Sequence, residues 1–370
     1  MKALVLTPSL VRAGGIERYT VSLIVALKDL LGEQNVRSMT IPERVNSNRR
    51  GRLSPGLKLC FGWQAIEEAV RSKPDLIICT HLGLGPVGWL LATFRQRPYW
   101  IVAYGIEAWG LLPSGKRIAL QQADRVVVIS SLTRQQLVSR HGIHRERIST
   151  LPCCLDESLL GFTEEAGDGL HPYFADDRRV LLTVGRLASW ERYKGHDVIL
   201  HALPSVLTKI RNLTYAVVGD GDDRVRLERL AQRLGIAQQV VFTGEVSDRE
   251  LAAIYRRSEI FALPARTVID DRTPKGEGFG IAFLEAMAFG KPVIGPNYGA
   301  PAELIREGEN GLLVDPEDHT SVTEALLKLL TNPGEASKMG RAGRDWVESH
   351  YSYGSFRERL REELRSAVDA

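Results

Sequence analysis

Along the chain, short runs of consecutive apolar residues alternate with longer segments whose apolar positions recur every three or four residues. In the first half the runs are 2–7 (KALVLT), 36–41, 75–80 (DLIICT), 99–104 (YWIVAY), 125–130 (RVVVIS) and 147–151. Helical spacing separates them at 16–31, 61–72, 86–95 and 131–140. Strands that are apolar throughout, with helices between them, predict a parallel sheet covered on both faces. At 156–178 the periodicity fades and acids, glycine and proline gather, which reads as a linker. The alternation then restarts: strand 179–185, helix 194–209, strand 213–218, helix 222–234, strand 239–243, helix 247–257, strand 259–263, helix 281–289 and strand 292–295. The fold expected is α/β, with two doubly wound Rossmann-like domains at 1–160 and 175–350. Such domains facing one another make a central cleft at the carboxyl ends of their strands, where ligands bind. The last segment, 351–370, is amphipathic and is expected to cross back onto the first domain.

A chain of 370 residues fits two such domains, and 44% hydrophobic with 25% charged residues is ordinary globular composition. No apolar run has the length of a membrane span, and the start, MKALVLTPSL, lacks a signal-peptide layout. The four cysteines, Cys60, Cys79, Cys153 and Cys154, have no metal-ligand spacing. These features predict a reduced, cytoplasmic protein. Charge is divided unevenly. Residues 1–160 hold 21 Lys+Arg against 12 Asp+Glu, a net of +9, and the remainder holds 27 against 33, a net of −6. Residues 44–58 concentrate Arg44, Arg49, Arg50, Arg52 and Lys58 beside Leu53, Leu57 and Leu59, a composition suited to peripheral contact with an anionic membrane. No nucleic-acid partner is expected.

The stretch 273–293, TPKGEGFGIAFLEAMAFGKPV, sets one carboxylate, Glu277, on a loop and a second, Glu285, inside the helix that follows. Residues 281–289 are good helix formers, stopped by Gly290 and Pro292. Amides at Phe279, Gly280 and Ile281 lie at the helix start, where they suit an anionic or oxygen-rich ligand. Two cations, Arg186 and Lys194, follow the strand 179–185 and suit a diphosphate. After the first strand, Gly14 and Gly15 permit close backbone approach before a helix, though the loop is not G-x-G-x-x-G. Ser247 and Glu250 form a capping-box pattern, and the loop before it, at Glu245 and Val246, is placed to meet a nucleobase edge.

Taken in order, GGIER, GRL with YKG, TGEVS, EGFGIAFLE and GKPVIG resemble the retaining glycosyltransferases of family 4, with the two-domain GT-B fold. The resemblance spans nearly the whole chain and is strongest over 179–315, where GENGLLVDPED also matches. It implies that Glu277 holds hydroxyls of a donor sugar with help from the amides of Phe279, Gly280 and Ile281. It implies that Glu285 faces the ribose, that Arg186 and Lys194 bind the diphosphate, and that Gly15 lies near it. On this view Arg186, Lys194 and Glu277 carry catalysis, while Gly15, Val246, Phe279, Gly280, Ile281 and Glu285 bind the donor. The implied partners are a nucleotide-sugar donor and a glycan or lipid-linked acceptor.

Two positions depart from the family pattern. Where many members carry His-Gly, this chain has Tyr104-Gly105 followed by Glu107. A phenol cannot become cationic near neutral pH, so Tyr104, Glu107 and nearby His81 are only candidate sugar or acceptor contacts. Where members often read Pro-Asn-Gly, this chain has Pro152-Cys153-Cys154, expected to serve packing. The adjacent pairs Asp222-Asp223 and Asp270-Asp271 are expected to face solvent. No metal site and no cofactor are expected, because fixed cations can do the ion's electrostatic work. The activity expected is retaining, metal-independent hexosyl transfer from a UDP- or GDP-sugar. A nucleotide-sugar epimerase of the same architecture, or a catalytically silent nucleotide-sugar-binding protein, are the alternatives; a nicotinamide enzyme is disfavoured by the missing glycine fingerprint.

Overall fold

The computed structural model describes residues 1–10, 14–41, 55–162 and 177–368. The contacts divide the chain into two compact units, Met1–Cys154 with Gly354–Ala370, and Leu155–Tyr353.

In the first unit the chain runs β1 (Ala3–Thr7), α1 (Gly15–Leu31), β2 (Val36–Thr40), α2 (Pro55–Ser72), β3 (Leu76–Cys79), α3 (Gly85–Arg95) and β4 (Tyr99–Ala103). It continues through α4 (Ile106–Trp109), α5 (Ser114–Gln122), β5 (Arg125–Val128), α6 (Ser131–His141) and β6 (Ile148–Thr150). The six strands form a parallel sheet in the order β2-β1-β3-β4-β5-β6. Its direction of winding reverses between β1 and β3, the crevice where doubly wound sheets take ligands. All five residues of β1 and all four of β3 are buried, as their unbroken apolar runs require.

The second unit runs β7 (Arg179–Val184), α7 (His196–Lys209), β8 (Leu213–Val218), α8 (Arg224–Arg233), β9 (Val240–Gly244), α9 (Asp248–Arg257), β10 (Ile260–Ala262) and α10 (Ile281–Ala288). Then come β11 (Val293–Pro296), β12 (Gly311–Val314), α11 (His319–Thr331) and α12 (Pro333–His350). Its sheet order, β12-β11-β10-β7-β8-β9, is that of a dinucleotide-type Rossmann domain, with the switch point between β7 and β10. Strand β12 and helices α11 and α12 complete this unit beyond the elements expected from the sequence.

The last helix, α13 (Tyr353–Val368), packs against first-unit residues. Phe356 meets the Tyr19 ring edge-on at 5.6 Å, and Arg125 reaches the Ser366 hydroxyl at 2.9 Å and the Glu363 carboxylate at 3.5 Å. The segment expected to open a linker is structured at its start. Glu157–Gly161 forms a 3-10 turn capped by Asp156 and packed against α9, with the Arg256 guanidinium donating to the Phe162 carbonyl. The rest of that segment, 163–176, and the basic stretch 44–58 with its expected membrane contact lie outside the described side chains.

Candidate functional site

The β7–α7 connection builds the site in the second unit. It leaves the sheet at the switch point, turns through a 3-10 segment at Ser189–Lys194, and enters α7 after Gly195. Three attachments hold it. Asp222 accepts from the Ser189 amide and hydroxyl, both at 2.7 Å. Asp223 accepts from Arg192 at 2.8 Å and grips Arg226 at 2.6 and 2.8 Å. The Tyr193 carbonyl accepts from the Arg266 amide at 2.6 Å. Asp223 is therefore buried and ion-paired, which corrects the expectation that it faces solvent, whereas Asp222 is exposed as expected. Burial opposes its charge, but the Arg226 and Arg192 guanidiniums outweigh that and hold its carboxyl below the usual carboxylate range. Asp270, by contrast, is exposed and caps its own turn through Arg272 and Thr273.

Glycine makes the close approach here. A Cβ at Gly219 would stand 2.2 Å from the Gly185 carbonyl oxygen, and one at Gly195, at φ +79°, 2.2 Å from that of Pro264. The loops after β7, β8 and β10 thus touch backbone to backbone, which sets where Arg186 and Lys194 stand.

Four charged side chains converge on that platform. Lys194 Nζ is ion-paired with Glu277 Oε1 and lies 3.9 Å from Glu191 Oε2, and Arg186 is ion-paired with Glu191 Oε1. The Lys194 and Glu277 side chains are 11% and 17% exposed and Glu191 only 6%, while Arg186 is 66% exposed. A buried carboxylate thus joins two cations, one sunk in the site and one mostly exposed at its rim. Glu191 Oε2 is buried without a hydrogen bond, and so is Nε2 of the neighbouring His196. Burial, reinforced by the Lys194 ammonium, pushes His196 down to about 3, so it is neutral near pH 7. Burial and the Glu277 and Glu191 carboxylates raise the Tyr193 phenol.

The α10 side of the site follows the sequence closely. Gly280, at φ +109°, precedes the first turn, where no side chain caps the helix. The amides of Ile281 and Ala282 have no acceptor within the helix, so they can meet a ligand oxygen. Phe279 is buried against Tyr351, ring centroids 6.0 Å apart. Glu285 is 3% exposed and accepts from the Tyr255 hydroxyl at 2.8 Å, with Tyr255 in turn stacked on Phe289 at 5.3 Å. Ser247 and Glu250 make the full capping box, and Val246 is half-buried in the preceding loop.

The first unit's strand ends are different in kind. Gly15 is exposed at the start of α1, after the extended Gly14. Tyr104 is buried, its hydroxyl 3.1 Å from Thr20 Oγ1 and its ring edge-on to Tyr19, and burial raises its phenol. Glu107 Oε1 accepts from the Tyr104 amide at 2.5 Å. His81 Nδ1 accepts from the Gly83 amide at 2.8 Å. Burial lowers the His81 imidazole, opposed by the field of Glu107. Tyr104, Glu107 and His81 therefore stand close together, with the phenol turned into the core. Cys153 is buried, and burial raises its thiol well above the usual value.

Sequence reasoning missed Glu191, His196 and Asp223. WERYKGHD reads as a polar loop entering a helix, and only the fold reveals that Glu191, Lys194 and His196 are buried and that Arg192 grips the buried Asp223. Among the described residues no group of three or more His, Cys, Asp or Glu side chains is arranged to hold a metal ion, and no helix is long and apolar enough to cross a membrane.

Two family profiles match the chain: Glycosyltransferase Family 4 over residues 13–159 and Glycosyl transferases group 1 over 172–346. A GDP-mannose-dependent alpha-(1-6)-phosphatidylinositol monomannoside mannosyltransferase from Mycolicibacterium smegmatis is 32% identical over 272 residues, covering 71% of this chain and 68% of the relative. A D-inositol 3-phosphate glycosyltransferase from Corynebacterium urealyticum is 28% identical over 318 residues, covering 79% and 71%. Among solved structures, Anabaena Alr3699/HepE in complex with UDP-glucose superposes with a TM-score of 0.77 at 19% identity, over 99% of this chain and 100% of that one. At that identity the likeness shows the fold.

Proposed function

Because the chain belongs to glycosyltransferase family 4 and is a nucleotide-sugar-dependent glycosyltransferase of GT-B fold, we propose that it transfers a hexose with retention, without a metal ion, to a lipid-linked acceptor. The observation that carries this reading is the Arg186–Glu191–Lys194–Glu277 cluster at the β7/β10 switch point. Arg186 and Lys194 bind the donor diphosphate. As the bond from the sugar's anomeric carbon to the diphosphate oxygen breaks, negative charge grows on the leaving group, and these two cations stabilise it. Positive charge on the sugar ring stays close to that leaving group. The acceptor hydroxyl attacks from the same face, and its proton passes to the departing phosphate oxygen. Glu277 holds sugar hydroxyls, assisted by the amides from Phe279 to Ile281, and so fixes the reacting carbon. Glu285, anchored by Tyr255, accepts from the ribose. Val246 and Gly15 complete the donor contacts.

The donor favoured is GDP-mannose and the acceptor an inositol lipid, since relatives at 31–32% identity carry those substrates in their names. Acceptor contacts fall to His81 and Glu107 in the first unit, while Tyr104 supports them from the core. A thermal-shift screen against GDP-, UDP-, ADP- and dTDP-hexoses tests the donor, since a ligand that binds the folded state raises its apparent stability. Incubation of the responding donor with phosphatidylinositol lipids, with and without chelator, then tests transfer. A changed nucleotide sugar without any acceptor product would instead identify an epimerase.

A further inference from the structure

Among the described residues of the first unit, six of the nine exposed large apolar side chains lie on three neighbouring helices. Helices α2, α3 and α5 join strands that step in one direction, β2 to β3 to β4 to β5, and right-handed crossovers place all three on the same side of the sheet. α2 packs against α3, and α3 against α5. Each helix turns one row inward, Phe61, Ala65 and Ala69 in α2 and Leu91 and Ala92 in α3. Each also carries apolar residues on the opposite side, where an ordinary surface helix is polar. In α2 these are Trp63, Ile66 and Val70, spaced i, i+3, i+7; in α3 they are Leu90 and Phe94, spaced i, i+4; in α5, Ile118. Trp63 is 71% exposed, Phe94 67% and Leu90 62%.

The charges on and around this face are mostly positive. α3 and α5 contribute Arg95, Lys116 and Arg117 and no acid. Exposed Lys73 and Arg97 follow the ends of α2 and α3. The acids of α2, Glu67 and Glu68, are 3.1 and 3.8 Å from Arg71. Aromatic and aliphatic rows flanked by long cations are chemically complementary to the boundary between acyl chains and anionic headgroups.

We propose that the outer face of α2, α3 and α5 rests on an anionic lipid bilayer. Trp63, Leu90 and Phe94 enter the headgroup boundary, and the cations at the helix ends reach lipid phosphates. This deepens the lipid-acceptor reading, since an enzyme seated on the bilayer meets its acceptor at the surface, but the binding itself requires no turnover.

Co-sedimentation with vesicles of phosphatidylcholine, alone or mixed with phosphatidylglycerol, tests it on the full chain. The wild type partitions onto the anionic vesicles, and more weakly as salt is raised. Trp63→Ser with Phe94→Ser lowers that partitioning about tenfold, and Lys73→Glu with Arg97→Glu lowers it about tenfold at low salt. All these positions are exposed, and unchanged calorimetric binding of GDP or UDP by the variants verifies an intact second unit. Equal partitioning of wild type on neutral and anionic vesicles overturns the proposal, as does undiminished partitioning of the variants. So does self-association by this face without vesicle binding, which would make it a contact between copies. Loss of nucleotide binding by wild type would refute the donor reading and leave the vesicle result standing on its own.

Discussion

The two units share an architecture and use their strand ends differently. Each is a six-stranded parallel sheet wound in both directions, yet the order is β2-β1-β3-β4-β5-β6 in one and β12-β11-β10-β7-β8-β9 in the other. In the second unit the switch point is crowded with paired charges, held by aspartate attachments and glycine contacts. In the first unit the same region holds a buried tyrosine pair, a threonine and a histidine. Exposed apolar residues differ as well. The second unit shows Trp190, Val225, Val268 and Tyr298 on separate elements, whereas the first groups six on three neighbouring helices. Under the proposed function this difference becomes a division of labour: fixed charge geometry would handle the donor diphosphate, and the other unit would present the surface that meets a lipid acceptor.

The largest effect should fall in the second unit. Arg186→Ala or Lys194→Ala is expected to lower turnover by about 100-fold or more, the scale of losing a group that stabilises developing charge. Circular dichroism should be unchanged for Arg186→Ala, whose side chain is mostly exposed. Near-normal turnover in both would remove the asymmetry between the units. Glu285→Gln is expected to weaken nucleoside-diphosphate affinity by about 1–3 kcal/mol, as for a lost charged hydrogen bond, measured by calorimetry.

His196 gives the comparison a pH signature. Its native value, near 3, lies below the ordinary 6.5, so the unfolded chain binds the extra proton between those limits. Stability is therefore fully present above pH 6.5 and falls as the solution is acidified toward 3. By pH 5 the loss from this one group is about 2 kcal/mol. Urea midpoints at pH 7 and pH 5 should converge in His196→Gln relative to wild type; an unchanged gap would show that other groups govern the acid limb. The smallest effect lies in the first unit. Tyr104→Phe should cost about 1 kcal/mol of stability through the lost Thr20 hydrogen bond, with donor affinity untouched. A large drop in turnover without a stability change would put the phenol in contact with substrate.

Legibility in the sequence also divided along chemical lines. Strands such as KALVLT and RVLLTV announced themselves because burial on both faces demands unbroken apolar runs. Helix α10 ended where Gly290, at φ +69°, and Pro292 require. Its paired glutamates were visible because the family motif carries them. The start of α7 was misread by two residues, since Gly195 at φ +79° ends one turn before the helix begins at His196. Strand β12 was overlooked because GLLV is too short to show a period. Burial of Glu191 and Asp223 was illegible, since it depends on loops from three strands meeting in space. The apolar face is hidden for a related reason: α2 and α3 carry apolar residues on both sides, so no single period marks which row faces out.

The central claim is that cations of the β7–α7 connection hold the diphosphate while Glu277 handles the sugar. Calorimetric titration of wild type, Lys194→Met and Glu277→Gln with GDP and UDP, beside single-turnover rates with the matching donor, tests it most directly. The account predicts that Lys194→Met weakens binding of the preferred nucleotide by about 1–3 kcal/mol, whereas Glu277→Gln binds it like wild type and loses turnover. Wild-type nucleotide affinity in Lys194→Met, or equal loss of affinity in both variants, would contradict it.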